Sequence, residues 1–193
     1  MSIDSLVTGD RMKRLSSIIF LTLVGAGMNG CDVKNEVSWK EALNARLPVY
    51  GHRNWIVVVD AAYPLQSRQG IETIATHEDQ LSVVGEVLKA MGGSKHVKAT
   101  VYLDKELKYV TEKDAPGIEV YRNRLTEMLG ERNIITPLHE DLIAKLDEAG
   151  KTFNVLILKS TLTLPYTSVF FELGCGYWDD GAEQRLRDEL KGK

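Results

Sequence analysis

A run of five consecutive apolar residues, Trp55–Val59, constrains the fold of this chain more than any other feature. The run is rich in β-branched residues and unbroken by a polar one, which predicts a strand buried on both faces of a helix-covered sheet. His52 precedes the run, and Asp60 follows it directly. Turn chemistry explains either residue by itself. Ligand binding explains Asp60 equally well, because ligands of open α/β sheets bind beyond the carboxyl ends of strands.

The rest of the chain alternates between helical and strand patterns. Apolar spacing predicts helices over residues 39–47, 80–91, 118–129 and 137–149. Short apolar runs predict strands over residues 97–103, 133–136, 153–158 and 169–173. Two helix starts look capped, by a capping box between Thr76 and Asp79 and by Thr136 followed by Pro137. The alternation of strands and helices indicates an α/β fold whose sheet is covered on both faces.

The N-terminal region has the layout of a bacterial export signal. Lys13 and Arg14 precede an uncharged apolar stretch that ends at Cys31. Asp4 and Asp10 do not suit the head of a signal, so the true start is predicted at Met12. The ending resembles a lipobox, which predicts a lipid on Cys31 that anchors the protein on the periplasmic side of a bacterial membrane. A buried N-terminal helix in a cytoplasmic protein is the alternative. The expected organisation is a signal, a tether, a folded domain and a charged C-terminal helix, over residues 1–31, 32–38, 39–178 and 179–193.

Composition and motifs exclude several classes of function. The net charge of −3 and the lack of a basic cluster argue against nucleic-acid binding. The two cysteines cannot form a disulfide framework, and Cys175, in an apolar stretch, is expected in the core. The dinucleotide, P-loop, zinc-protease and serine-hydrolase motifs do not occur. His96 is expected on the surface. A metal-dependent enzyme stays an alternative, although no ligand spacing is diagnostic; its ligands would be His52, His77, His139 and either Glu78 or Asp60.

The distance between His52 and Asp60 bears on where a site can form. The two residues are eight positions apart, and an extended chain rises about 3.3 Å per residue, so the two side chains can stand ~26 Å apart. They share one small-ligand site only if residues 52–54 fold back or if two subunits contribute. A site between subunits is therefore predicted if both residues are functional.

Several segments together resemble the RbsD/FucU family of sugar mutarotases, the D-ribose pyranases and L-fucose mutarotases. The resemblance begins with Gly-His-Arg-Asn at 51–54, the apolar strand and Asp-Ala-Ala-Tyr-Pro at 60–64. It continues, in the family's order, through residues 71–73, 97–103, 136–140 and 165–174, and spans about 39–176. Ala62 stands where the family has glycine, and Ser168 stands where it has asparagine.

The resemblance implies a three-layer α/β sandwich with a mixed, mostly parallel central sheet. It implies an isomerase that interconverts anomers or ring forms of a ribose- or fucose-like monosaccharide without a metal or other cofactor. His52 would be the catalytic proton donor, since histidine titrates near neutral pH. Asp60 and His139 would bind the sugar, and a neighbouring subunit of a ring-shaped homo-oligomer would line the pocket through Tyr166, Thr167 and Ser168. A non-catalytic sugar-binding lipoprotein with the same pocket is the alternative.

Overall fold

The computed structural model describes residues 38–192. The predicted signal, Cys31 and all of the predicted tether except Ser38 lie outside these residues. The elements, in chain order, are α1 (Trp39–Arg46), β1 (Trp55–Val59), β2 (Ile71–Ala75), α2 (Gln80–Gly92), β3 (Val97–Leu103), a 3-10 turn (Lys105–Lys108), α3 (Ile118–Leu129), β4 (Ile134–Ile135), α4 (His139–Ala149), β5 (Val155–Lys159), β6 (Val169–Cys175) and α5 (Asp180–Lys191).

The strands form one six-stranded sheet in the order β2-β5-β1-β6-β3-β4. β5 pairs in parallel with both β1 and β2, and β3 pairs in parallel with β4. β6 runs antiparallel to its two neighbours, β1 and β3. The five other strands therefore point the same way, and their carboxyl ends meet at one edge of the sheet. The predicted mixed, mostly parallel sheet is confirmed.

Strand β1 lies at the centre of two hydrophobic cores. Ile56 and Val58 face a core built with α1, α2 and α3, whereas Trp55, Val57 and Val59 face a second core built with α4. All five side chains are buried, as expected for a strand covered on both faces. The arrangement of helices, sheet and helices confirms the predicted three-layer α/β sandwich.

The sequence pattern did not predict strand β2, and it placed other element ends one or two residues away from the observed ones. β2 pairs with β5 only, so it is an edge strand, and its residues are half-buried or exposed. A half-buried edge strand needs no continuous apolar run, and Glu72 and Thr73 interrupt the pattern here. The signal that identified β1 is therefore missing.

Both predicted helix caps are wrong. Asp79 itself is the N-cap of α2, and its carboxylate accepts hydrogen bonds from the first backbone amides of the helix. The Thr76 hydroxyl instead donates to a carbonyl at the end of β5. The fourth helix begins at His139 with Leu138 in the cap position, so Thr136 and Pro137 lie before the helix. A carboxylate from another segment replaces the missing cap, as described below.

Two further expectations about burial differ from the structure. The His96 ring is half-buried rather than on the surface, with Nε2 3.1 Å from the carbonyl oxygens of Leu47 and Tyr50. Cys175 is only partly buried, because β6 extends there to the margin of the sheet.

The C-terminal helix α5 contains no buried side chain, as its charged sequence predicts. Within residues 38–192, no helix is both long and apolar enough to span a membrane.

Candidate functional site

Polar residues gather where the parallel strands end, at what we call the carboxyl edge of the sheet. Each parallel strand is followed directly by a polar residue, and β6 is preceded by one. These residues are Asp60, Thr76, Asp104, Thr136, Ser160 and Ser168. Ligands of open α/β sheets bind at this edge, so a ligand site is expected here.

A carboxylate and an imidazole form a close pair at the carboxyl edge. Asp104 directly follows β3, and His139 is the first residue of α4. Asp104 Oδ1 lies 3.0 Å from His139 Nδ1, and the Asp104 side chain is 0% exposed, against 24% for His139. Burial raises the pKa of Asp104 from 3.8 to about 6, although the hydrogen bond with His139 opposes the rise. The nearby carboxylates of Glu106 and Asp60 raise this pKa further.

Glu106 supplies the cap that α4 lacks in its own sequence. Its two carboxylate oxygens accept from the backbone amide of His139 at 3.1 and 3.2 Å. A carboxylate at a helix N-terminus satisfies a free amide and interacts favourably with the helix dipole. The start of α4, and with it His139, is thus held against the segment that follows β3.

Two tyrosines flank the Asp104–His139 pair. Tyr166 packs edge-on against the His139 ring, with centroids 5.6 Å apart and an interplanar angle of 85°. Its backbone has a φ of +56°, which is uncommon for a bulky side chain and is found where surrounding structure enforces it. Tyr63 is buried, and its pKa is raised by burial and by the negative charges of Asp104 and Asp60. Tyr166 and His139 belong to the same chain, so the described chain brings them together without the neighbouring subunit that the resemblance implied.

Asp60 takes part in a turn and also borders a cavity. Its Oδ1 accepts from the Ala62 amide at 2.8 Å, which is the expected Asx turn. Asp60 also borders a cavity of about 380 Å³, which is lined by Ala62 and by the loop from Thr163 to Pro165 as well. Both interpretations of Asp60 from the sequence are therefore compatible with the structure.

Buried hydrogen bonds hold the turn before β6 in place. The Thr167 side chain is buried and donates to the Leu164 carbonyl at 2.9 Å, so it does not face a pocket as expected. The Thr167 carbonyl accepts from the Tyr121 hydroxyl at 2.7 Å and from the Gln80 amide. Ser168 is also buried, and its Oγ finds no hydrogen-bond partner within residues 38–192, as is true of Asp104 Oδ2.

His52 lies at the opposite edge of the sheet from Asp60. It is exposed in the turn before β1, next to the last residues of β6. It borders a cavity of about 750 Å³ together with Lys98, Glu172 and Trp178. Since β1 is extended between the two residues, one chain does not bring His52 and Asp60 together. This separation agrees with the one expected from their spacing in the sequence.

The histidines do not assemble into a metal site. His77 is exposed beside β2 and borders a different cavity from His52, and His139 is paired with Asp104. In the part of the chain that the structure describes, no group of three or more histidine, cysteine, aspartate or glutamate side chains is arranged to hold a metal ion. The proposed ligand set of the metal-dependent alternative is dispersed over the molecule.

Sequence reasoning missed three residues of the carboxyl edge: Asp104, Glu106 and Tyr63. Asp104 directly follows a correctly predicted strand, just as Asp60 does. Asp104 therefore has the same position relative to its strand that marked Asp60 as a candidate ligand-binding residue. Glu106 and Tyr63 had no comparable signal, because their roles depend on how the loops after β1 and β3 fold.

No family model and no curated protein matches this sequence. Among solved structures, RbsD of Bacillus subtilis complexed with D-ribose is similar, with a TM-score of 0.51 and 17% identity over 69% of this chain and 91% of that chain. The fucose mutarotase of Streptococcus pneumoniae in complex with L-fucose has a TM-score of 0.45 and 18% identity over 75% of this chain and 97% of that chain. FucU of Bifidobacterium longum has a TM-score of 0.46 and 18% identity over 69% of this chain and 93% of that chain. At this identity the likeness to RbsD establishes a shared α/β fold.

Proposed function

We propose that this protein is a monosaccharide mutarotase or pyranase, an isomerase that interconverts anomers or ring forms of a sugar by opening its ring. The observation that carries the proposal is the grouping of Asp60, His139 and Tyr166 at the carboxyl edge. The fold is also shared with an RbsD structure that holds D-ribose. The two observations are related, because the strand order that brings these residues to one edge is part of the fold shared with RbsD.

The side chains at the carboxyl edge suit a neutral, hydroxyl-rich ligand. Carboxylates accept short, charge-assisted hydrogen bonds from hydroxyl groups, and Asp60 borders a cavity at this edge. Tyr166 is 40% exposed and offers an aromatic surface with a hydroxyl at its tip.

Ring opening is a proton-transfer reaction. A proton leaves the anomeric hydroxyl, the bond between the anomeric carbon and the ring oxygen breaks, and the ring oxygen takes up a proton. The anomeric carbon becomes a carbonyl carbon. Closure by the same hydroxyl on the other face gives the other anomer, and closure by a different hydroxyl gives a different ring size. A positioned acid and base typically accelerate such transfers by about 10²–10⁴-fold.

We assign the proton donor to His52 of a neighbouring subunit. His52 and the carboxyl edge lie at opposite ends of the sheet, so a head-to-tail arrangement brings the His52 end of one subunit to the carboxyl edge of the next. Head-to-tail contacts close into a ring when the rotation between subunits allows it. His52 is exposed and free to enter such a contact. The ring itself, and the number of its subunits, are part of the proposal.

NMR exchange spectroscopy on D-ribose, L-fucose and related sugars tests the proposed activity. The intact protein is expected to increase the exchange rate between ring forms or anomers of at least one sugar. The His52→Ala variant is expected to bind that sugar and to lose the rate increase. Binding without any increase in exchange across the sugar panel would instead indicate a sugar-binding protein, and an unchanged rate in His52→Ala would remove the assigned donor.

We also propose that the protein is exported and anchored through a lipid on Cys31. The proposal rests on the charge and apolar pattern of residues 12–31. Mass spectrometry of the membrane fraction is expected to find the chain beginning at a lipid-modified Cys31. Recovery of the chain from the cytoplasm with Cys31 unmodified would contradict both the anchor and the location.

A further inference from the structure

The Asp104–His139 pair determines more than the position of one sugar-binding side chain. An ionised carboxylate only accepts hydrogen bonds, so the ring nitrogen facing it must carry a proton. That nitrogen is Nδ1, at 3.0 Å from Asp104 Oδ1. In a neutral imidazole, a proton on Nδ1 leaves Nε2 with a free lone pair. Within residues 38–192, His139 Nε2 makes no hydrogen bond, so the lone pair is available.

The surroundings hold the imidazole in this orientation. The backbone of His139 is capped by Glu106, and the ring packs edge-on against Tyr166. The Lys105 amide donates to the Pro137 carbonyl at 2.8 Å, which ties the end of β3 to the start of α4. Asp104 and His139 therefore sit on two segments that are fixed to each other, as the preorganised geometry of an acid–base group requires.

Asp104 has few other interactions to explain its burial. Its side chain is 0% exposed, and Oδ2 has no hydrogen-bond partner in the part of the chain that the structure describes. A buried carboxylate with one unpartnered oxygen lowers the stability of the fold. Its presence here therefore suggests a role other than stability. Burial raises the pKa of Asp104 to about 6, so above that pH the carboxylate is ionised and accepts a hydrogen bond from the Nδ1–H group of His139.

We propose that Asp104 is a positioning residue that holds His139 in the tautomer with a free Nε2, and that His139 is the base that takes the anomeric proton. This inference rests on the proposed mutarotase function and deepens it, since the resemblance assigned only sugar binding to His139. His139 Nε2 accepts the proton as the O–H bonding pair becomes the second bond of the carbonyl. The electron pair of the broken ring bond goes to the ring oxygen, which takes its proton from His52 of the neighbouring subunit. On closure both protons return.

Nitrogen-15 NMR of the histidine rings reads the tautomer directly, with or without sugar. At pH 7.5 the wild-type His139 ring is expected to carry its proton on Nδ1. Asp104→Asn removes the obligate acceptor, so its spectrum is expected to show a mixture of tautomers or the Nε2-protonated form. Its exchange rate at saturating sugar is expected to fall by about 10²-fold or more, while the sugar dissociation constant changes by less than about tenfold.

Two further variants separate positioning from structural effects. His139→Gln keeps a hydrogen-bonding side chain but no basic nitrogen, so it is expected to retain sugar affinity and lose the exchange rate. Asp147→Asn is the matched control, because Asp147 lies on α4 and pairs with Arg68 at 2.8 Å, away from His139. It is expected to keep both the Nδ1-protonated tautomer and the wild-type rate.

The outcomes for this inference are distinct from those for the proposed function. An Nε2-protonated ring in the wild type, or an unchanged tautomer and rate in Asp104→Asn, overturns the inference even if the wild type catalyses exchange. A His139→Gln variant with the wild-type rate overturns the role of His139 as base. A wild-type protein that carries the proton on His139 Nδ1 but increases the exchange rate of no sugar overturns both the proposed function and the role of His139 as base. Only the hydrogen bond between Asp104 and His139 would then stand.

Discussion

Replacing Asp104 by asparagine should change how the stability of the protein depends on pH. The asparagine side chain has nearly the same shape as the aspartate side chain, but it does not titrate. The pKa of Asp104 is about 6 in the folded protein, against 3.8 as its usual value. The native state therefore holds this proton at a pH where the unfolded state has lost it. A group of this kind lowers stability progressively as the pH rises from about 4 to about 6.

The size of the effect follows from the two pKa values. One pKa unit is about 1.4 kcal/mol, so a pKa of about 6 against 3.8 corresponds to about 3 kcal/mol once both states are ionised, at pH 7.5. At pH 4 only about 0.5 kcal/mol of this remains, because the native carboxyl is protonated and about 40% of the unfolded chains are as well. Relative to wild type, Asp104→Asn should therefore gain about 2.5 kcal/mol of stability between pH 4 and pH 7.5.

Urea denaturation of both proteins at several pH values measures this difference. The unpaired amide hydrogens of the asparagine cost a constant amount, about 1–3 kcal/mol, which shifts both ends of the curve equally and leaves its pH dependence intact. Asp188→Asn is the control, because Asp188 is exposed on α5, and its stability should stay within about 0.5 kcal/mol of wild type. A stability difference for Asp104→Asn that is independent of pH, or that moves against the variant as pH rises, refutes the account of this buried carboxyl.

Two further predictions concern the turn before β6. Gln80→Leu should lower the free energy of unfolding by about 2–4 kcal/mol in urea denaturation, because Gln80 is buried and joins Ser160, Tyr121 and the Thr167 carbonyl; an effect below about 0.5 kcal/mol would contradict this role. Tyr166→Gly should cost little stability, since glycine relieves the positive φ by about 1 kcal/mol, yet it should weaken sugar binding measured by calorimetry. Unchanged sugar affinity in Tyr166→Gly would remove the residue from the site.

The sequence predicted the central architecture because its signals are local. The apolar, β-branched run 55–59 predicted a strand buried on both faces, and its length separated His52 from Asp60. β2 escaped prediction because an edge strand carries polar residues such as Glu72 and Thr73 in the same short stretch. Regular elements were therefore predictable wherever their burial was uniform.

The pairing at the candidate site was not predictable in the same way. The contact between Asp104 and His139 joins residues 35 positions apart, and it depends on the loop after β3 meeting the start of α4. The approach of Tyr166 to His139 depends on a backbone conformation with φ of +56° that no residue preference for tyrosine suggests. Asp60 and His139 were candidates from their positions in the sequence, and Tyr166 was one only through the family resemblance, but their common edge required the strand order.

The most direct test of the central claim is sugar exchange by mixed oligomers. His52→Ala and Asp60→Ala each destroy every composite site when expressed alone, so both should be inactive in NMR exchange spectroscopy. If His52 of one subunit serves Asp60 of the next, co-expression of the two variants regenerates intact sites at about a quarter of the contacts under random assembly. The account predicts that co-expressed protein recovers about that fraction of the wild-type exchange rate. No recovery from a verified mixed oligomer would contradict a site shared between subunits.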